Sequence, residues 1–136
     1  MPNCLTTDPS TPRLGILDDH PQFLDAVADS LRDEGWEVRW TAVDLPGALT
    51  ALRTSPVDAV LIDLTIQGCD GARVGDILRW ARPALHVLLH SPFLDETMTA
   101  TASELGFPVV RKVDGVDGLL RVLAGLDGAP TAVSVH

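Results

Sequence analysis

Three aspartates stand directly after apolar runs. Asp18 and Asp19 follow Arg13–Leu17, and Asp63 follows Ala59–Ile62. Short, nearly continuous apolar runs of this kind read as strands covered on both faces of a parallel sheet. In open parallel α/β sheets the ligand crevice lies beyond the carboxyl ends of the strands. Carboxylates gathered there repel one another, and a hard divalent cation that takes oxygen ligands relieves the repulsion. A carboxylate beside that cation can serve as a nucleophile toward a phosphoryl group. Two more residues stand at strand ends, Ser91 after His86–His90 and Lys112 after Val109–Arg111. A hydroxyl and an ammonium would hydrogen-bond and charge-pair with phosphoryl oxygens arriving among the carboxylates.

The elements that position these residues follow from hydrophobic period. Arg13–Leu17, Glu37–Ala42, Ala59–Asp63, His86–His90 and Val109–Arg111 read as strands. Between them, Gln22–Glu34 repeats Phe23, Leu24, Val27, Ala28 and Leu31 at helical spacing. Pro21 sits at its start and Gly35 at its end, where each is tolerated best. A second helix follows Asp44, a good N-cap, and a third covers Ala72–Ala81. The fourth, Asp95–Leu105, is threonine-rich and weak in propensity. The fifth, Val116–Leu126, turns Leu119, Leu120, Leu123 and Leu126 inward. Five strands alternating with five helices predict a doubly wound, flavodoxin-like (βα)5 α/β fold with a five-stranded parallel sheet in the order 2-1-3-4-5. That order makes the first and third strands neighbours and gathers Asp18, Asp19 and Asp63. Residues 1–12 read as a flexible arm, 13–126 as the domain, and 127–136 as a tail or linker stub.

Bulk properties narrow the function. The 136 residues suit one domain, and 46% hydrophobic residues supply a core. A net charge of −9 argues against direct nucleic-acid contact, which carries a basic footprint. No apolar run approaches the ~20 residues that span a bilayer, and no signal peptide opens the chain. Cys4 and Cys69 have no metal spacing and read as free thiols of a cytoplasmic protein.

With these motifs in order, the chain resembles the receiver domains of two-component response regulators, over about residues 13–126. The resemblance is carried by Leu17-Asp18-Asp19-His20, Val60-Leu61-Ile62-Asp63-Leu64, Gly68-Cys69-Asp70-Gly71, Leu88-Leu89-His90-Ser91 and Val109-Val110-Arg111-Lys112. It implies Asp63 as phosphoacceptor, with Mg2+ held by Asp18, Asp19, Asp63 and the backbone carbonyl of Thr65. It implies Ser91 as the switch hydroxyl and Lys112 as the partner of the phosphoryl group. Thr65 and Phe93 would tune loss of that group, and the bulk of Phe93 predicts slow autodephosphorylation. The implied partners are a sensor histidine kinase and a second copy, the latter through the face of the fourth helix, fifth strand and fifth helix. The domain is a switch for transcription or a partner, not an enzyme. Its chain is compatible with a single-domain receiver or with a piece of a DNA-binding regulator.

Three positions depart from the family pattern. Ile66-Gln67 replaces the usual Met-Pro, Pro92 follows the switch hydroxyl where a small residue is usual, and Val109 stands where an aromatic is common. They motivate an alternative, a pseudo-receiver that binds proteins without phosphorylation. A remoter alternative rests on Asp18-Asp19-His20, which faintly resembles the Asp-x-His-x-x-Gly motif of cobalamin-binding domains, with Phe23 in place of the glycine. His86 and His90 read as structural, and Trp36, Trp40 and Trp80 as packing residues.

Overall fold

The computed structural model describes residues 11–91, 96–112 and 115–125. In chain order the elements are β1 (Arg13–Leu17), α1 (Pro21–Asp33), β2 (Glu37–Ala42), α2 (Leu45–Thr54), β3 (Ala59–Asp63), β4 (Thr65–Ile66), β5 (Cys69–Asp70), α3 (Gly71–Ala81), β6 (His86–Ser91), α4 (Glu96–Leu105), β7 (Val109–Arg111) and α5 (Gly115–Leu123). The main sheet is parallel throughout, in the order β2-β1-β3-β6-β7. This is the expected 2-1-3-4-5 winding. The extra pair, β4 and β5, is an antiparallel hairpin of two-residue strands between β3 and α3.

Alternation along the strands divides the core into two layers. Leu17, Val60, Ile62, Val87 and Leu89 face α2, α3 and α4, where Ala48, Leu78 and Ala102 meet them. Leu14, Ile16, Leu61 and Leu88 face the other way, against Leu24 and Leu31 of α1 and Leu119 and Leu123 of α5. Each fully buried Leu or Ile contributes roughly 1.5–3 kcal/mol, so the sheet is held from both sides. Leu120 is only half-buried at the edge of this second layer. Leu126 lies outside the described residues, as do 1–10 of the arm and the whole tail.

Local signals act as expected at the helix ends. Asp44 Oδ1 accepts from Gly47 N at 2.7 Å and caps α2. Gly35, at φ +92°, turns the chain out of α1 while Trp36 N donates to Leu31 O at 3.0 Å. Trp40 lies flat over β1 and donates Nε1–H to Ser55 O. A Cβ on Gly15 would come within 2.5 Å of that ring, so only glycine lets the indole seal this part of the sheet. Trp80 departs from its packing expectation: it is 82% exposed. Val74 and Leu78 set the inward phase of α3, and helical geometry then turns Ile77 and Trp80 outward.

The two ends of the sheet differ in chemistry. At the amino ends Asp58 ties Arg13, through the backbone N at 2.8 Å and the guanidinium at 3.3 Å, and reaches Arg82 at 3.6 Å. The carboxyl ends collect the aspartates.

Candidate functional site

Side-by-side pairing of β1 and β3, with Leu17 opposite Ile62, sets Asp18 and Asp63 at adjacent strand ends. Both are buried, at 2% and 3% exposure. Asp18 Oδ2 accepts from Lys112 Nζ at 3.1 Å, and the same ammonium stands 3.6 Å from Asp63 Oδ2. Lys112 therefore spans two buried carboxylates, and Arg111 beside it is exposed. Thr65 N donates to Asp63 Oδ1 at 3.3 Å. Burial first, and then the charge of Asp18, pushes the Asp63 carboxyl above the ordinary carboxylate range, while Lys112 and the Thr65 N–H pull it back.

Ser91 is buried at the end of β6, one residue beyond His90, which is opposite Asp63 in register. Phe93 lies outside the described residues, as does Pro92. Val109 is half-buried, while the nearest aromatic, Phe107, is buried under the Arg79 guanidinium at 4.8 Å.

Several neighbours were not legible as site residues. Gln67 and Gly68 both have positive φ, 51° and 77°, and form the two-residue turn between β4 and β5. Such turns require that conformation at both positions. The Gln67 N–H donates to Asp19 Oδ2 at 2.9 Å. A proline at 67 has neither an N–H nor access to positive φ, so the departure from Met-Pro is what lets the hairpin hold Asp19. Phe23 of α1 lies under Lys112 Nζ at 4.2 Å and against the His90 ring at 5.3 Å. At sequence level it is one more apolar residue on a helical stripe. His90 is 2% exposed, and neither ring nitrogen has a hydrogen-bond partner. Burial, reinforced by Lys112 and opposed by Asp18, pushes its pKa down to about 4.

His20 completes the site from above. Its Nδ1 is 2.8 Å from Asp18 Oδ1, 3.0 Å from Asp19 Oδ1 and 3.8 Å from Asp63 Oδ2. The hydrogen bond to Asp18, and then the charges of Asp18 and Asp19, raise its pKa. Despite the 3.0 Å approach, Asp19 Oδ1 is a buried atom without a well-formed hydrogen bond. One ligand atom from each of Asp18, Asp19, His20 and Asp63 can be chosen so that all lie within 4.8 Å of one another. Crowded carboxylate oxygens with an orphaned acceptor fit a hard divalent cation such as Mg2+.

Known proteins resemble this chain in sequence and in fold. The family model described as the response regulator receiver domain matches residues 14–112. An NtrX-like response regulator of Rickettsia typhi is 33% identical over 78 residues, which cover 56% of this chain and 16% of that protein. Its Rickettsia felis counterpart is 32% identical over the same length. The chain thus spans about a sixth of the length of these relatives. Among solved structures, a LuxR-family two-component response regulator from Aurantimonas sp. SI85-9A1 superposes with a TM-score of 0.72 at 26% identity, covering 86% of this chain and 88% of that one. The signal receiver domain of NarL from Mycobacterium tuberculosis gives 0.72 at 27% identity, covering 87% and 100%. The isolated receiver domain of RcsB from Salmonella enterica serovar Typhimurium shares the fold, with a TM-score of 0.72 at 20% identity over 90% and 96%.

Proposed function

The chain belongs to the response regulator receiver family, and from that premise we propose that it is a phosphoacceptor switch whose Asp63 takes a phosphoryl group from the phosphohistidine of a sensor kinase. The observation that carries this reading is the Lys112 ammonium 3.1 Å from Asp18 and 3.6 Å from Asp63. A buried nucleophilic carboxylate must stay ionised although burial and Asp18 oppose it, and Lys112 supplies the nearest compensating charge. An Asp63 oxygen forms a bond to phosphorus as the P–N bond of the phosphohistidine breaks, and the leaving imidazole takes a proton from water. Mg2+, held by Asp18, Asp19, Asp63 and the Thr65 carbonyl, would neutralise phosphoryl oxygens during transfer. Lys112 then pairs with the aspartyl phosphate, and the Ser91 hydroxyl donates to one of its oxygens.

The new group adds charge and acceptor oxygens at the strand ends, where Ser91 closes β6. We assign the response to the face of α4, β7 and α5, which would exchange partners or pair with a second copy to control transcription. Among the described residues no helix is long and apolar enough to cross a membrane. Val109, which offers no ring to swing inward, favours a second reading in which that face binds its partner regardless of phosphorylation.

Intact mass spectrometry after incubation with acetyl phosphate and Mg2+ separates the two readings. One added phosphoryl group, lost in Asp63→Asn, supports the switch. An unmodified protein under every small donor tried, with no Mg2+ binding, would leave the constitutive binding module.

A further inference from the structure

His20 is a poor choice for the helix it precedes. It stands at the N-cap of α1, where Ser, Thr, Asp and Asn are preferred, and its side chain makes no capping hydrogen bond. The ring instead turns back over the carboxylates. Its backbone is fixed for that purpose: Pro21 restricts the preceding residue to extended conformations, and His20 N donates to Asp18 Oδ1 at 2.9 Å. The side chain is 66% exposed, so burial does not dictate the orientation.

The two shorter His20 Nδ1 distances match neighbouring ligands of a shared ion. Ligands about 2.1 Å from one octahedral cation stand roughly 3.0 Å apart along an edge and about 4.2 Å apart across it. His20 Nδ1 lies 2.8, 3.0 and 3.8 Å from oxygens of Asp18, Asp19 and Asp63. We propose that His20 is a nitrogen ligand of this cation site, so that the site takes first-row transition ions such as Co2+ and Zn2+ with a preference over Mg2+ that depends on His20. The inference rests on the acidic cluster being a cation site, as proposed above. Carboxylates and water suit Mg2+, whereas imidazole suits transition ions and holds Mg2+ poorly. A nitrogen donor therefore strengthens Co2+ and Zn2+ binding selectively. On ligation the proton that Nδ1 shares with Asp18 passes to solvent, and the lone pair turns to the metal.

The test is calorimetric titration of the whole chain with Co2+, Zn2+ and Mg2+ in turn, at mildly alkaline pH, for the wild type, His20→Ala and His20→Gln. The expected result is a loss of tenfold or more in Co2+ and Zn2+ affinity in both variants, with Mg2+ affinity within about twofold of wild type. Proton NMR of the Co2+ form should show a hyperfine-shifted, exchangeable imidazole N–H that both variants lack. Equal weakening of all three ions would mark a merely structural role and overturn the proposal, as would unchanged Co2+ and Zn2+ affinity. If none of the ions binds the wild type, the cation-site reading itself fails and takes this inference with it. Binding that Asp63→Asn weakens but His20→Ala does not would overturn the inference alone.

Discussion

Replacing His90 by leucine should stabilise the domain, and by an amount that grows as pH falls. Both ring nitrogens of His90 are buried without a partner. An unsatisfied buried polar group costs about 1–3 kcal/mol, and losing the ring contact with Phe23 gives back about 0.5–1.5 kcal/mol. The net gain at neutral pH is roughly 1 kcal/mol, or about 3–5 °C in Tm for a domain of this size. The pH dependence has a definite sign. The folded pKa of His90 is lowered from 6.5 to about 4, so between those values the unfolded chain binds more protons and folding weakens as pH drops. At 1.36 kcal/mol per pH unit, wild type loses on the order of 2 kcal/mol at pH 5 and roughly 3 kcal/mol once pH falls below 4. His90→Leu escapes this loss, so its advantage should widen to about 3 kcal/mol at pH 5. Urea denaturation of both proteins at pH 7.5 and pH 5 measures the gap directly. A gap that stays constant with pH, or a variant less stable at neutral pH, would refute the description of His90 as a buried, neutral and unpartnered ring.

Asp63→Asn should raise the Tm of the metal-free protein at pH 7 by an amount on the order of 1 kcal/mol in stability, because the variant relieves a buried charge beside Asp18. The folded Asp63 holds its proton more tightly than the unfolded one, so its penalty appears as pH rises, and thermal melts should show the gain vanishing toward pH 3. Gly71→Ala would bring a Cβ within 2.2 Å of the Asp63 carbonyl oxygen; overpacking against backbone predicts a loss of about 3 kcal/mol or more in urea denaturation. Lys112→Ala should slow phosphoryl incorporation from acetyl phosphate roughly 100-fold, the scale for removing one preorganised stabilising donor, while circular dichroism stays native.

The winding was legible because burial patterns are local. Ala59–Ile62 is apolar at every position, as only a strand covered on both faces requires, and Asp44 and Gly35 mark helix ends by backbone chemistry. The strand-end aspartates followed from that winding. What stayed hidden depended on tertiary placement. Gln67 departs from a family motif, yet its positive φ and its N–H are what tie the hairpin to Asp19. Phe23 and His90 belong to ordinary-looking apolar stretches, and only the packing of α1 against β6 brings them to Lys112. Trp80 faces solvent because Val74 and Leu78, rather than composition, fix the rotational phase of α3.

The central claim is that Asp63, among three neighbouring aspartates, is the one that carries the phosphoryl group. Borohydride reduces an aspartyl phosphate to homoserine, which peptide mass mapping then locates. After incubation with acetyl phosphate and Mg2+, the account predicts homoserine at position 63 alone, absent when Mg2+ is chelated. Homoserine at position 18 or 19, or none in a protein that demonstrably binds Mg2+, would contradict it.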